Sequence, residues 1–133
     1  MTEKTRNYKS ALHFTPSYGW MNDPNGLVYH DGTYELYYQH NPRGIDWNCM
    51  TWGHARGTDL LHWEDLGDVL EPDENGLMFS GCAIRNDRCF LKQNIHINLM
   101  VTAHNGITQN IAMRQTDNNM SLDRHAAFSL NRF

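Results

Sequence analysis

The strongest constraint on the fold is a pair of short runs, residues 27–30 and 33–39, that are rich in aromatic and β-branched side chains. The two runs are joined by the dipeptide Asp31-Gly32. An Asp-Gly pair favours a type I′ turn, because both central positions of that turn need a positive φ angle. The pattern therefore predicts a tight β-hairpin over residues 27–39.

The second run of this hairpin has two different faces, since successive side chains of a strand point to opposite sides. One face is aromatic and aliphatic, and the other includes a carboxylate and an amide. The two sets are Tyr34, Leu36 and Tyr38 on the first face and Glu35, Tyr37 and Gln39 on the second. We expect the Gln39 face to be the polar one and to point away from the core.

Further strand-like runs follow the hairpin. They occupy residues 50–56, 62–66, 78–84, 97–102 and 109–113. Together with the hairpin they predict antiparallel sheets of four strands that recur at roughly forty to fifty residues, which is typical of β-propeller blades. Helical periodicity is weak throughout, so we expect an all-β chain.

A propeller of about four to eight blades needs a longer chain than this one. We expect the 133 residues to hold one complete blade and most of a second, with no clear pattern over residues 118–133. Blades bury their apolar faces against neighbouring blades. The exposed blade edges of this chain are therefore expected to favour self-association or coverage by a partner.

Charge and composition exclude several classes of function. The chain has 15 acidic and 11 basic residues and a formal net charge of −4, without the Lys and Arg cluster that a nucleic-acid backbone requires. Residues 1–10 are polar and lack the apolar centre of a signal peptide, and no apolar run is long enough to span a membrane. We therefore expect a soluble, cytoplasmic protein that binds neither nucleic acid nor a membrane.

The cysteine and histidine patterns give no sign of a metal site. Cys49, Cys82 and Cys89 lie at irregular spacing without a Cys-x-x-Cys pair, which favours free thiols over a disulfide framework or a zinc site. The eight histidines include no His-Glu-x-x-His spacing. Most of them are expected to have structural roles.

The densest group of chemically useful side chains is residues 19–26, Gly-Trp-Met-Asn-Asp-Pro-Asn-Gly, directly before the first hairpin strand. In a propeller, a carboxylate at the entrance of an innermost strand points into the central funnel, which a substrate can reach, and Asp23 has this position. The amides of Asn22 and Asn25 suit sugar hydroxyls, and Trp20 offers an apolar platform for a ring. The alternative interpretation is that Asp-Pro-Asn-Gly only forms a turn.

Six segments within about residues 11–84 form a more specific pattern. They are His13-Phe14-Thr15-Pro16, Trp20-Met21-Asn22-Asp23-Pro24-Asn25-Gly26, Tyr37-Tyr38-Gln39-His40-Asn41-Pro42, Trp52-Gly53-His54-Ala55, Asp59-Leu60-Leu61-His62-Trp63 and Phe79-Ser80-Gly81. In this order and spacing they resemble the start of glycoside hydrolase family 32, the β-fructofuranosidases. A weaker similarity continues through residues 102–112.

The resemblance implies a five-bladed β-propeller, usually followed by a β-sandwich. It implies removal of terminal fructose from sucrose, sucrose 6-phosphate, levan or inulin with retention of configuration, so the expected partner is a fructose-containing di- or polysaccharide. It implies neither a metal nor an organic cofactor. The chain then divides into a polar segment, residues 1–10, and a partial propeller domain, residues 11–133.

The resemblance also implies roles for single residues. Asp23 matches the family's nucleophile, which attacks the anomeric carbon and forms a covalent fructosyl-enzyme. The residues that match positions lining the fructose pocket are Asn22, Gln39, Trp47, Phe79 and Ser80. Trp20 and Met21 complete the expected substrate-binding set.

Retention also needs a second carboxyl roughly 5 Å from the nucleophile. The resemblance implies that it is a Glu followed by Cys, and that a further Asp in an Arg-Asp-Pro motif holds fructose hydroxyls. Neither motif occurs in the 133 residues, and Arg85-Asn86-Asp87 is a poor match in the wrong blade. Our first hypothesis is the N-terminal portion of a β-fructofuranosidase with Asp23 as nucleophile. The alternatives are a catalytically inactive fragment that at most binds fructosides, and a propeller used only for protein interaction.

Overall fold

The computed structural model describes residues 9–74, 76–86, 95–103, 108–116 and 119–123. All regular secondary structure in these ranges is β-strand. This confirms the all-β prediction for the described part of the chain. The strands are β1 (Trp20–His30), β2 (Thr33–Asn41), β3 (Thr51–Gly57), β4 (Glu64–Leu70), β5 (Met78–Asn86), β6 (Ile95–Ala103), β7 (Thr108–Thr116) and β8 (Asn119–Asp123). Over the same residues, no helix has the length and apolar character needed to cross a membrane.

The strands form two antiparallel sheets of four strands each. Their orders are β1-β2-β3-β4 and β5-β6-β7-β8, so each strand pairs with the next one in sequence. The first strands of the two sheets, β1 and β5, lie against each other. Two consecutive four-stranded meanders that meet along their first strands have the arrangement of adjacent propeller blades.

The predicted hairpin is confirmed. β1 and β2 are joined by Asp31 and Gly32, whose φ angles are 47° and 83°. Both values lie in the left-handed region that a type I′ turn requires and that Gly adopts without strain.

The Trp-Met-Asn-Asp-Pro-Asn-Gly segment does not precede the first strand but forms its first part. β1 begins at Trp20 and pairs with β2 along residues 20–30. The interpretation of Asp-Pro-Asn-Gly as a turn is therefore wrong. Pairing with β2 supplies backbone partners that a local turn would otherwise have to provide.

The expectation that the Gln39 face points away from the core is also wrong. Glu35 and Tyr37 are 0% exposed and Gln39 is 4% exposed. The second sheet packs on this face, and the Gln39 side chain donates from Nε2 to the Met78 carbonyl over 3.4 Å. Polar groups remain stable inside the protein where they find such partners.

The opposite face of the first sheet is covered by the chain that leads into β1. Tyr38 is fully buried, and the Phe14 ring meets it edge-on at 5.1 Å between centroids. The Phe14 ring also contacts that of Trp63, with ring centroids 6.3 Å apart. The first sheet is therefore buried on both faces near its middle.

A close approach between the two sheets occurs at Gly26 in β1. A Cβ atom at this position would lie 2.6 Å from the Ala83 Cβ and 2.8 Å from the Ala83 backbone nitrogen of β5. Real Cβ atoms do not come this close to their neighbours, so β1 can lie this near β5 only with glycine at position 26.

The second sheet has a fourth strand where the sequence showed no clear pattern. β8, Asn119–Asp123, pairs with β7, so the described part of the second sheet has four strands. β8 has five residues and lies at the edge of its sheet, and short edge strands carry a weak sequence signal. Residue 118 and residues 124–133, which also belong to the segment without a clear pattern, lie outside the described residues.

Candidate active site

β1 carries an irregularity at the residues on which the sequence analysis concentrated. Asn22 and Asp23 together lie opposite the single residue Gln39 of β2, and Asn25 is a second extra residue that follows Pro24. A β-bulge of this kind bends the strand and re-aims the neighbouring side chains. Pro24 suits the position because it has no N–H to contribute to a regular ladder. As a result the Asp23 side chain is exposed, whereas Asn25 is buried.

β5 has a matching irregularity near its own start. Phe79 and Ser80 together lie opposite Thr102 of β6. Since β1 and β5 are the adjacent first strands of the two sheets, two bulges lie in neighbouring strands. Four of the eight predicted site residues occupy these bulges.

A series of hydrogen bonds links three of the predicted residues across two strands and continues to the second sheet. The indole Nε1 of Trp20 donates to Asn22 Oδ1 over 3.0 Å. Asn22 Nδ2 donates to Gln39 Oε1 over 2.8 Å, and Gln39 Nε2 donates to the Met78 carbonyl. Each amide has its oxygen and its nitrogen engaged, so the orientations of both amide groups are set by this network.

Two other aromatic residues of the predicted pocket, Trp47 and Phe79, contact each other. Trp47, in the loop between β2 and β3, is 52% exposed. Its ring lies 6.0 Å from that of Phe79, with a 52° angle between the planes. The backbone N–H of Trp20 donates to the Gly44 carbonyl over 2.9 Å, which ties this loop to the start of β1. An exposed aromatic wall therefore borders the bulge of β5.

Two buried residues outside the predicted set, His40 and Asn41, hold the surroundings of the site. His40 donates from Nε2 to the Tyr18 carbonyl over 2.8 Å, and its Nδ1 lies 2.7 Å from Asp68 Oδ1. Asn41 donates from Nδ2 to the Asp46 carbonyl over 2.9 Å. The Asn-Pro pair at 41–42 signals such a side-chain turn. Nothing in the local sequence indicates the partners of His40, which come from distant elements.

The buried carboxylate of Glu35 is not a candidate for the second catalytic carboxyl. Its oxygens bond to His54 Nε2 at 2.5 Å and to Arg56 Nε at 2.8 Å. Burial on its own would raise the pKa of Glu35, but the hydrogen bonds and charges of His54 and Arg56 outweigh it and lower the pKa. A general acid at neutral pH needs a raised pKa, so Glu35 has a structural role.

Asp65 is likewise committed to the fold. It accepts hydrogen bonds from the backbone N–H groups of Ser17 and Gly67 and from the Tyr38 hydroxyl. Partial burial acts to raise the pKa of Asp65, and these hydrogen bonds overcome it and lower the pKa. Burial and the neighbouring Asp65 charge raise the pKa of the Tyr38 hydroxyl, which therefore stays protonated as a donor.

The metal-ligating side chains are dispersed. Within the described ranges, no three or more His, Cys, Asp or Glu side chains are grouped so that they could hold a metal ion. Cys49 and Cys82 are free and partly exposed. Cys89 lies outside the described residues.

The comparison with protein families decides the classification. The family model for the N-terminal domain of glycosyl hydrolases family 32 matches residues 13–129. The chain belongs to this family. This confirms the resemblance to family 32 found in the sequence.

Family 32 relatives are similar along different lengths of the chain. A levanase of Bacillus subtilis is 53% identical over 78 residues, which are 59% of this chain and 12% of the levanase. An extracellular exo-inulinase of Aspergillus niger is 38% identical over an alignment of 132 positions, which covers 92% of this chain and 25% of the inulinase. The chain thus spans a quarter or less of the length of these two relatives.

Solved family 32 structures share the fold. The structure of a sucrose-6-phosphate hydrolase from Lactobacillus gasseri superposes with a TM-score of 0.70 at 26% identity, covering 94% of this chain and 26% of that one. The two-sheet arrangement is therefore one that a family 32 enzyme also has.

Seven of the eight predicted site residues of this family 32 chain fall into three groups. Hydrogen bonds link Trp20, Asn22 and Gln39, and a ring contact links Trp47 with Phe79. Bulge geometry places the exposed Asp23 and Ser80 beside these groups. Met21 is half-buried in β1 opposite His40. Their roles toward a substrate stay predictions.

Proposed function

We propose that this chain contributes the nucleophile and part of the fructose pocket of a retaining β-fructofuranosidase. The proposed reaction releases terminal β-D-fructose from sucrose, sucrose 6-phosphate or fructans. The observation that carries the proposal is the pair of bulges in β1 and β5, with Asn22 and Asp23 in one and Phe79 and Ser80 in the other. Membership of family 32 supports the same reaction class.

In the proposed reaction, Asp23 attacks the anomeric carbon of the fructosyl group and forms a covalent intermediate, which water then hydrolyses. An exposed carboxylate on a bent strand suits this role, because the nucleophile must reach an incoming substrate. Family 32 relatives include enzymes named levanase and sucrose-6-phosphate hydrolase, which supports the proposed choice of fructosides.

The neighbouring groups have the chemistry of a sugar pocket. The amides of Asn22 and Gln39 and the hydroxyl of Ser80 are donors and acceptors for sugar hydroxyls. The exposed rings of Trp47 and Trp20 offer apolar surface to C–H faces. Gln39 is buried and already bonded to Asn22, so we propose that it acts on the sugar mainly through the orientation of that neighbour.

We propose none of these 133 residues as the second catalytic carboxyl. No Glu in the sequence precedes a Cys, no Arg-Asp-Pro occurs, and Glu35 and Asp65 carry lowered pKa values. Loss of general acid catalysis alone costs about 10²- to 10⁴-fold in rate. For the 133 residues by themselves we therefore propose the second candidate function, fructoside binding without appreciable turnover.

The test is to join this chain to residues that supply the remaining family 32 blades and to measure fructose release from sucrose, sucrose 6-phosphate and inulin. We expect Asp23→Asn to reduce the rate by several orders of magnitude, as removal of a nucleophile does. Glu71→Gln, the same chemical change at an exposed position in the loop after β4, is the control. Retained activity in Asp23→Asn would exclude the nucleophile assignment, and rapid hydrolysis by the isolated 133 residues would exclude the second candidate function.

A further inference from the structure

Trp52 makes a contact that a simple core residue does not need. It lies in β3 directly opposite Gln39 of β2 and is 0% exposed. Its indole Nε1 leaves the first sheet and donates to the backbone carbonyl of Phe79 in β5 over 3.0 Å. The contact therefore joins the centre of one sheet to the bulge of the other.

The acceptor of this bond lies in the bulge of β5, where Phe79 and Ser80 share one partner position on β6. A bulge interrupts the regular ladder and bends its strand. A hydrogen bond depends on the direction of its acceptor, so the Phe79 carbonyl keeps the Trp52 donor while the bulge keeps its conformation. The bond thus couples the conformation of the bulge to the position of Trp52.

Neighbouring hydrogen bonds act on the same short segment. The Met78 N–H donates to the Met50 carbonyl over 3.0 Å, and the Met78 carbonyl accepts from Gln39 Nε2. Together with the Trp52 bond, they attach two consecutive residues of β5 to the first sheet. The two Met78 groups lie directly before the bulge, and the Phe79 carbonyl lies within it.

We propose that Trp52 is a positioning residue, whose indole N–H holds the Phe79–Ser80 bulge so that the Phe79 ring and the Ser80 hydroxyl face a bound fructoside. The inference rests on the proposed function for the identity of the ligand. The geometric part, that Trp52 controls the conformation of the bulge, stands on the structure alone. Trp52 does not itself touch the substrate in this scheme.

A matched pair of variants separates the hydrogen bond from the packing. Trp52→Phe keeps an aromatic ring in the core and removes the donor. Trp63→Phe makes the same change at a half-buried tryptophan, whose Nε1 donates to the Leu60 carbonyl over 3.3 Å in the loop before β4. Both variants lose one indole-to-carbonyl bond, but only one of these bonds ends in the bulge.

The experiment titrates the 133-residue chain and both variants with sucrose by NMR, at a temperature where thermal melts show all three folded. We expect Trp52→Phe to weaken sucrose binding on the order of tenfold, because a displaced Ser80 hydroxyl loses one net hydrogen bond to the sugar. We expect Trp63→Phe to leave the affinity unchanged. Equal affinities of the parent and Trp52→Phe would overturn the positioning role.

Two further readouts cover a parent that does not bind sucrose and a variant that does not fold. In folded chains, the backbone amide shifts of Ser80 and Gly81 should change in Trp52→Phe and not in Trp63→Phe; unchanged shifts contradict control of the bulge. A parent that fails to bind sucrose counts against the proposed function, while these shifts still decide whether Trp52 controls the bulge.

If Trp52→Phe does not fold, the parent itself provides the test. Sucrose should slow hydrogen exchange at the Trp52 indole N–H but not at the Trp63 indole N–H. An unaltered exchange rate at Trp52 overturns the proposal.

Discussion

The Asn22 side chain donates from Nδ2 to the Gln39 Oε1 over 2.8 Å, across the bulge that brings Asn22 and Asp23 opposite Gln39. This contact joins an exposed part of β1 to the buried centre of the first sheet. Gln39 in turn reaches the Met78 carbonyl, so a change at either amide is transmitted to the contact between the two sheets. The candidate site and the packing of the sheets are therefore coupled.

The first prediction concerns this coupling. Gln39→Leu removes the acceptor of Asn22 and the donor to Met78 in a buried position, so we expect unfolding free energy to fall by about 1–3 kcal/mol. In a double-mutant cycle with Asn22→Ala, the two losses should not add, and the coupling energy should be about 0.5–1.5 kcal/mol. Urea denaturation of the four proteins measures it. Strict additivity would mean that the two amides are energetically independent.

The sequence predicted the elements whose signal is local. The hairpin follows from Asp31-Gly32, which needs no distant partner, and the strand runs after it follow from side-chain type. The residues of the candidate site could be proposed because the family resemblance rests on short ordered segments. These features depend on neighbours within a few positions.

The sequence could not predict features that depend on the contact between sheets. Glu35 and Gln39 are polar residues in alternating positions, which is also the pattern of a solvent-facing strand. Both are buried, and Gln39 contacts the Met78 carbonyl of β5. The bulges also depend on long-range pairing, since a bulge is defined by the register with a partner strand of the same sheet. The bonds of His40 to Tyr18 and Asp68 likewise join elements that are distant in sequence.

The second prediction tests the close approach of β1 and β5. Gly26→Ala places a Cβ 2.6 Å from that of Ala83, so the sheets must separate locally, and we expect a loss of about 1–3 kcal/mol in unfolding free energy. Ala83→Gly in the same chain should restore part of the loss, because the second contact, with the Ala83 nitrogen at 2.8 Å, remains. Thermal unfolding of both variants measures it. An unchanged midpoint for Gly26→Ala would show that β5 can move away at no cost.

The third prediction concerns the loop between β3 and β4. Hydrogen bonds from the His62 side chain and from the backbone N–H groups of His62 and Leu61 lower the pKa of Asp59 from 3.8 to about 2. His62→Ala removes the side-chain donor and leaves both backbone donors, so the pKa of Asp59 should rise partway toward 3.8. An NMR pH titration of the Asp59 carboxyl carbon measures the shift. If the pKa of Asp59 is the same in the two proteins, the side chain of His62 does not stabilise the ionised form.

The fourth prediction is the acid sensitivity that Glu35 gives to the fold. Its folded pKa lies below the ordinary 4.5, because the hydrogen bonds and charges of His54 and Arg56 outweigh the opposing effect of burial. The ionised carboxylate therefore stabilises the fold fully above about pH 4.5, and this contribution is lost as the pH falls through the lower folded value. Removing one partner of a buried ion pair costs about 3 kcal/mol, because the remaining charges are left uncompensated.

Glu35→Gln should thus be about 3 kcal/mol less stable than the parent at neutral pH, and this difference should shrink below about pH 4.5 as Glu35 of the parent becomes protonated. Urea unfolding of the two proteins between about pH 7 and pH 3 measures the difference across that window. Glu71→Gln, at an exposed carboxylate, should follow the parent throughout. Residue 35 can change its charge in the parent and not in Glu35→Gln. If the difference in unfolding free energy between the two proteins stays constant over the whole pH range, the ionisation of Glu35 does not contribute to stability.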